Sequence, residues 1–108
     1  MHARTTLVEI DTVRISMEEA LELFKEHVLP GLQEHEGYRG AYVLTTPEGR
    51  GMIISLWENE DASVRAGRFA MGALERYTML FRAPPGRETY EVVHADVPAG
   101  IAALGAEA

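Results

Sequence analysis

Six consecutive residues, Met52-Ile53-Ile54-Ser55-Leu56-Trp57, carry five large apolar side chains and one serine. The run is too short for a buried helix and follows a Pro-Glu-Gly turn signal, so it reads as a β-strand. Successive side chains of a strand point to opposite faces. Met52, Ile54 and Leu56 therefore share one face, and Ile53, Ser55 and Trp57 the other. An antiparallel sheet with one face in water alternates apolar and polar. This strand does not, so its sheet needs cover on both sides.

The neighbouring segments define that sheet. Arg4–Asp11 is rich in Thr and Val and reads as a first strand. Ser16 with Glu19 forms a capping-box pattern, behind which Met17, Ala20, Leu21, Phe24, Val28 and Leu32 recur at helical spacing. Glu18, Glu22, Lys25 and Glu26 mark the wet face of that helix, and Pro30-Gly31 should kink or end it. "YRGAYVLTT", "PEG" and "RGMIISLWE" predict two strands joined by a tight turn. Asn59 is a good N-cap, with Glu60 and Asp61 at the positive end of the helix dipole. Ala62, Ala66, Phe69, Ala73, Tyr77 and Leu80 then stripe a second helix over Asp61–Phe81. "APPG" (Ala83–Gly86) ends it, and Arg87–Val97 predicts a fourth strand.

The order strand–helix–strand–strand–helix–strand is the ferredoxin-like βαββαβ pattern of the α+β class, a four-stranded antiparallel sheet with two helices on one face. The domain spans 1–97, and 98–108 is an Ala/Gly-rich tail with Ile101 and Leu104 as its large apolar groups. The face away from the helices stays apolar in the second strand as well, where Tyr42 and Leu44 oppose Ala41 and Val43. In the fourth, Tyr90 and Val92 oppose Val93, Ala95 and Val97. The economical cover is an identical chain packed sheet to sheet, which predicts a homodimer.

Charge and composition exclude several classes. Ten Lys and Arg against 17 Asp and Glu give a net charge of −7, which opposes nucleic-acid binding through phosphates. The chain has no cysteine, hence no disulfide, thiolate metal site or cysteine nucleophile. His2, His27, His35 and His94 include no His-x-His or His-x-x-x-His pair, and no metal site is expected. "MHARTTLVEI" lacks the apolar run of a signal peptide, and no segment has the length to span a membrane, so a cytoplasmic location is the default expectation.

"HEGYRGAYVLTTPEGRGMIISLWENEDA", a following helix, and "APPGRETYEVVHADV" together resemble the antibiotic biosynthesis monooxygenase-like family. The similarity runs from Thr6 to Val97. Its clearest parts are the Gly-aromatic-x-Gly-x-aromatic entry to the second strand (Gly37–Tyr42) and the Trp-Glu at the end of the third. The resemblance implies a dimeric α+β barrel and one of two chemistries. One is oxygenation of polycyclic phenols or quinols without metal, flavin or haem, at a pocket holding an asparagine, a tryptophan and an arginine. The other is haem degradation, with an asparagine, a tryptophan and an iron-ligating histidine on the second helix. Residue by residue, Trp57 matches. Leu7–Asp11 holds no asparagine and Asp61–Phe81 no histidine, which opposes the haem chemistry. Arg65 and Arg68 are the arginines a pocket would draw on.

Each candidate has two readings. Trp57 is a core residue at the sheet–helix seam, or a pocket wall that stacks on an aromatic ligand. Asn59 is a helix cap, or an amide that orients a substrate. His94, read on the Tyr90 side of the fourth strand, is a satisfied buried histidine or the base that takes a phenolic proton. Tyr42, Phe69 and Tyr90 either fill core and dimer seam or, with Arg65, line a cavity for a flat ligand. Trp57 and His94 are thus the catalytic candidates, and Tyr42, Asn59, Arg65, Phe69 and Tyr90 the ligand-binding ones. Two functions follow: a cofactor-independent monooxygenase acting on a hydrophobic phenolic or quinol-type molecule, or a non-catalytic barrel that binds a small apolar ligand or serves as a structural module.

Overall fold

The computed structural model describes residues 1–96 of the 108-residue chain. Four strands, β1 (His2–Glu9), β2 (Tyr38–Thr45), β3 (Arg50–Trp57) and β4 (Gly86–Glu91), form one antiparallel sheet in the order β2-β3-β1-β4. The helices are α1 (Met17–His27), α2 (Leu29–Glu34) and α3 (Glu60–Glu75), with a 3₁₀ turn at Thr78–Leu80. This is the expected α+β ferredoxin-like arrangement. The first helical unit is broken as Pro30 requires: α1 stops at His27, and the proline sits in the first turn of α2, where its missing N–H is no loss.

Local chemistry sets most boundaries. Ser16 Oγ caps α1 by accepting from the Glu19 N–H at 3.1 Å, and its hydroxyl donates to Glu19 Oε1 at 3.0 Å. Between β2 and β3, the Gly49 N–H donates to the Thr46 carbonyl at 3.1 Å, and Gly49 takes φ +103°, a conformation that disfavours any side chain.

The first strand runs His2–Glu9 rather than Arg4–Asp11, and two further boundaries differ from the sequence reading. The second helix ends at Glu75 rather than Phe81, because tertiary hydrogen bonds draw the following segment to the end of β1. The Asp11 N–H donates to the Leu80 carbonyl and the Arg82 N–H to the Glu9 carbonyl, both at 2.8 Å, and Phe81 bridges to Ile10. The fourth strand ends at Glu91. One more bond, from the Val92 N–H to the Met1 carbonyl at 3.0 Å, ties it to β1, and from Val93 to Asp96 the chain has no strand partner among the described residues. Val97 and the tail 98–108 lie outside the described residues.

The core lies between the sheet and the helices. Phe24, Val28 and Leu32 meet Trp57 and the small-residue strip Ala62, Ala66, Ala70 and Ala73 of α3. Alanines let α3 approach the sheet closely, so the tryptophan fills the seam. The opposite face is bare: Leu7 is 51% exposed, Leu44 52%, Tyr90 49% and Tyr42 44%. The pairing register sets Met52, Ile54 and Leu56 on that same face, half-buried.

Candidate functional site

Trp57 closes β3 on the helix side, opposite His2 of β1 and Tyr38 of β2. It is fully buried. Its indole Nε1–H donates to Ser55 Oγ at 2.8 Å, and the Tyr38 ring meets it edge-on with centroids 5.5 Å apart. Ser55, the one polar residue in the apolar run, thus satisfies the indole donor two residues along the same strand. Burial raises the Tyr38 hydroxyl above its ordinary pKa.

A void lies further along the same layer. Between the sheet and α1, the end of α3 and the 3₁₀ turn is a cavity of about 80 Å³, set in a hollow of about 670 Å³ that includes open solvent. Val8, Ile10, Ile53, Phe24, Leu74 and Phe81 are among its walls. Thr45 and Tyr77 are the lining residues with a hydroxyl, and no charged side chain lines it. Ala20 on α1 and Gly51 on β3 are the smallest of its lining residues, and a Cβ at Gly51 would meet Val8 Cγ2 at 2.9 Å. The His27 ring lies beside Tyr77, centroids 6.3 Å apart. Trp57 is not among the walls.

The residues named from the sequence are not brought together. Asn59 caps α3: its Oδ1 accepts from the Ala62 N–H at 2.9 Å, so the amide is engaged. Arg65 is exposed on α3. Phe69 lies over Gly31, where a Cβ would come within 2.8 Å of its Cε1, and its ring is 5.3 Å from that of His35. Tyr42 and Tyr90 are on the bare face at opposite edges of the sheet, since β2 and β4 are its outer strands. His94 was expected inside the fourth strand on a buried side. It is instead exposed, beyond the end of β4, where no strand pairing holds it.

The sequence named most of the cavity's walls as apolar stripes but not as a cavity. Met17, Ala20, Phe24 and Val28 were visible on the first helix, and Tyr77 and Leu80 on the second. Periodicity says which face is buried; it does not say whether the buried volumes fill the space.

No family model matches the chain, and no curated protein matches it. Solved structures do. A protein of unknown function from Nitrosomonas europaea superposes with a TM-score of 0.71 at 21% identity, over 92% of this chain and 95% of that one. A monooxygenase from the gene ActVA-Orf6 of Streptomyces coelicolor, in complex with nanaomycin D, gives 0.70 at 17% identity, over 91% and 92%. SnoaB, a cofactor-independent oxygenase from Streptomyces nogalater, gives 0.70 at 11% identity, over 87% and 94%. The chain has the fold of the antibiotic biosynthesis monooxygenases. The likeness read from Gly37–Tyr42 and from Trp57-Glu58 is borne out at the level of that fold. At these identities it is the architecture that is shared, and activity is argued from the site. Among the described residues no helix is long and apolar enough to cross a membrane.

Proposed function

We propose that the chain is a small monooxygenase-like homodimer whose cavity beneath α1 receives a hydrophobic phenolic or quinol-type molecule. The observation that carries this reading is the cavity itself: apolar walls, two hydroxyl-bearing residues and no charge, in a fold shared with a cofactor-independent oxygenase and with a monooxygenase. In the proposed reaction, written for an anthrone, the CH₂ between the two aryl rings and across from the carbonyl loses two hydrogens and gains one oxygen atom. The second atom of dioxygen leaves as water, so the substrate supplies all the electrons. Thr45 or Tyr77 would hold the substrate oxygen, and the apolar walls would exclude water from the reacting carbon. Trp57 enters this scheme as a packing residue outside the cavity, and His94, exposed beyond β4, has no place in it.

The second sheet face supports the dimer. Leu7, Tyr42, Leu44, Met52, Ile54, Leu56 and Tyr90 form one apolar surface across all four strands, the kind of patch that marks an interface.

A second reading, a ligand-binding barrel without catalysis, is favoured by two features of the cavity. No titratable acid or base other than the Tyr77 phenol lines it, and its 80 Å³ is far below the roughly 300 Å³ at which drug-sized pockets begin. Oxygen uptake with a panel of anthrones and hydroquinones separates the two. The enzyme reading expects uptake with some of the panel, abolished by Ala20→Phe, which fills the cavity, and reduced by Tyr77→Phe. Uptake absent throughout, with Ala20→Phe still blocking an apolar probe such as an anilinonaphthalene dye, selects the binding module.

A further inference from the structure

Arg4 lies on the helix-facing side of β1, pressed under α3 at Gly67. A Cβ at Gly67 would come within 2.8 Å of the Arg4 guanidinium carbon, so the glycine is what lets the guanidinium lie against the helix backbone. Arg4 Nε is buried and has no hydrogen-bond partner among the described residues. One turn earlier on the same helix, the fully buried Ser63 Oγ is also without a partner.

The charged group that acts on Arg4 is another cation, Arg87. The register sets Arg4 opposite Thr89, and Thr6 opposite Arg87, so Arg87 is the diagonal neighbour of Arg4 on the same face. None of the ion pairs among the described residues includes either arginine. The guanidinium of Arg4 is held below its ordinary pKa by burial and, second, by the like charge of Arg87. Among the described residues, this half-buried cation beside another cation lacks the partner such a group ordinarily has.

Beside it is an open surface groove lined by Arg4, Pro85, Arg87, Glu88 and Thr89. Glu88 projects from β4 toward the bare face, where its carboxylate accepts from the Tyr90 hydroxyl. Glu75 lines an adjoining hollow with Arg87 but forms no ion pair with it.

We propose that this groove is a subsite for the carboxylate of a small organic acid, gripped between Arg4 and Arg87 with the Thr89 hydroxyl as a further donor. A carboxylate matches the planar guanidinium fork, neutralises two like charges together, and is small enough for the groove. The site lies under α3 and the edge strand β4, apart from the cavity beneath α1, and does not rest on the oxygenase reading.

The test is a titration of the ¹⁵N-labelled full chain with benzoate at constant ionic strength, read at the arginine side-chain Nε–H resonances. The expected result is a saturable shift, with affinity weakened about ten-fold in Arg87→Gln and in Arg4→Lys, which keeps the charge and loses the fork. Arg87 is exposed, so Arg87→Gln leaves the fold intact and decides the matter should Arg4→Lys fail to fold. Shifts that never saturate, an affinity unchanged in Arg87→Gln, or tighter binding of inorganic phosphate than of benzoate would each overturn the carboxylate assignment.

Discussion

Trp57 is the residue on which stability and function are most easily confused. Its burial, its bond to Ser55 and its contact with Tyr38 make it a packing element first. Trp57→Phe leaves a void and removes the donor to Ser55, and should lower unfolding free energy by about 2 kcal/mol, measured by urea denaturation. Occupancy of the cavity beneath α1 by an apolar probe should stay unchanged, because the indole is not among its walls. A full-length loss of probe binding at unchanged stability would instead return Trp57 to the ligand. Tyr38 gives a pH prediction. Its folded-state pKa is raised, so the folded form keeps the proton that the unfolded chain releases near pH 10. The contribution is complete below that pH and fades as pH rises through the folded value. Urea midpoints should therefore fall more steeply above pH 10 in the native chain than in Tyr38→Phe.

At the scale of elements, the caps were the most legible features and the strand and helix ends the least. Ser16 and Asn59 do what their side chains allow: each oxygen takes an orphan N–H in the first turn. Asn59→Ala should cost about 1 kcal/mol with no effect on ligand binding, by thermal or urea denaturation alongside a probe titration. The end of α3 was not legible. Nothing local stops a helix at Glu75; the bonds from Asp11 to Leu80 and from Arg82 to Glu9 do, and they join residues far apart in sequence. His94 was misplaced for a similar reason. A run of β-formers predicts a strand, but a strand persists only as far as it has a partner, and β4's pairing ends at Val92.

For the whole molecule, the uncovered sheet face is the dominant fact. A dimer through this face predicts a sedimentation mass of two chains at micromolar concentration. Leu44→Arg, at a position already 52% exposed, should convert it to a folded monomer, with far-ultraviolet circular dichroism unchanged. A wild-type chain that sediments as a monomer would remove the dimer from the proposed function and leave the bare face without a purpose.

Alternation and capping, both local properties, were enough for the sequence to determine the strand–helix order, the antiparallel sheet, the side on which the helices lie and the apolar character of both sheet faces. They follow from each residue's own shape and from neighbours within four positions. The site was decided only by tertiary structure. That a void stays open beneath α1, that Trp57 does not line it, and that Arg4 lies under Gly67 with Arg87 diagonal to it on the sheet all depend on volumes and charges brought together from distant parts of the chain. Packing is a sum over such distant pairs, and no single segment carries it.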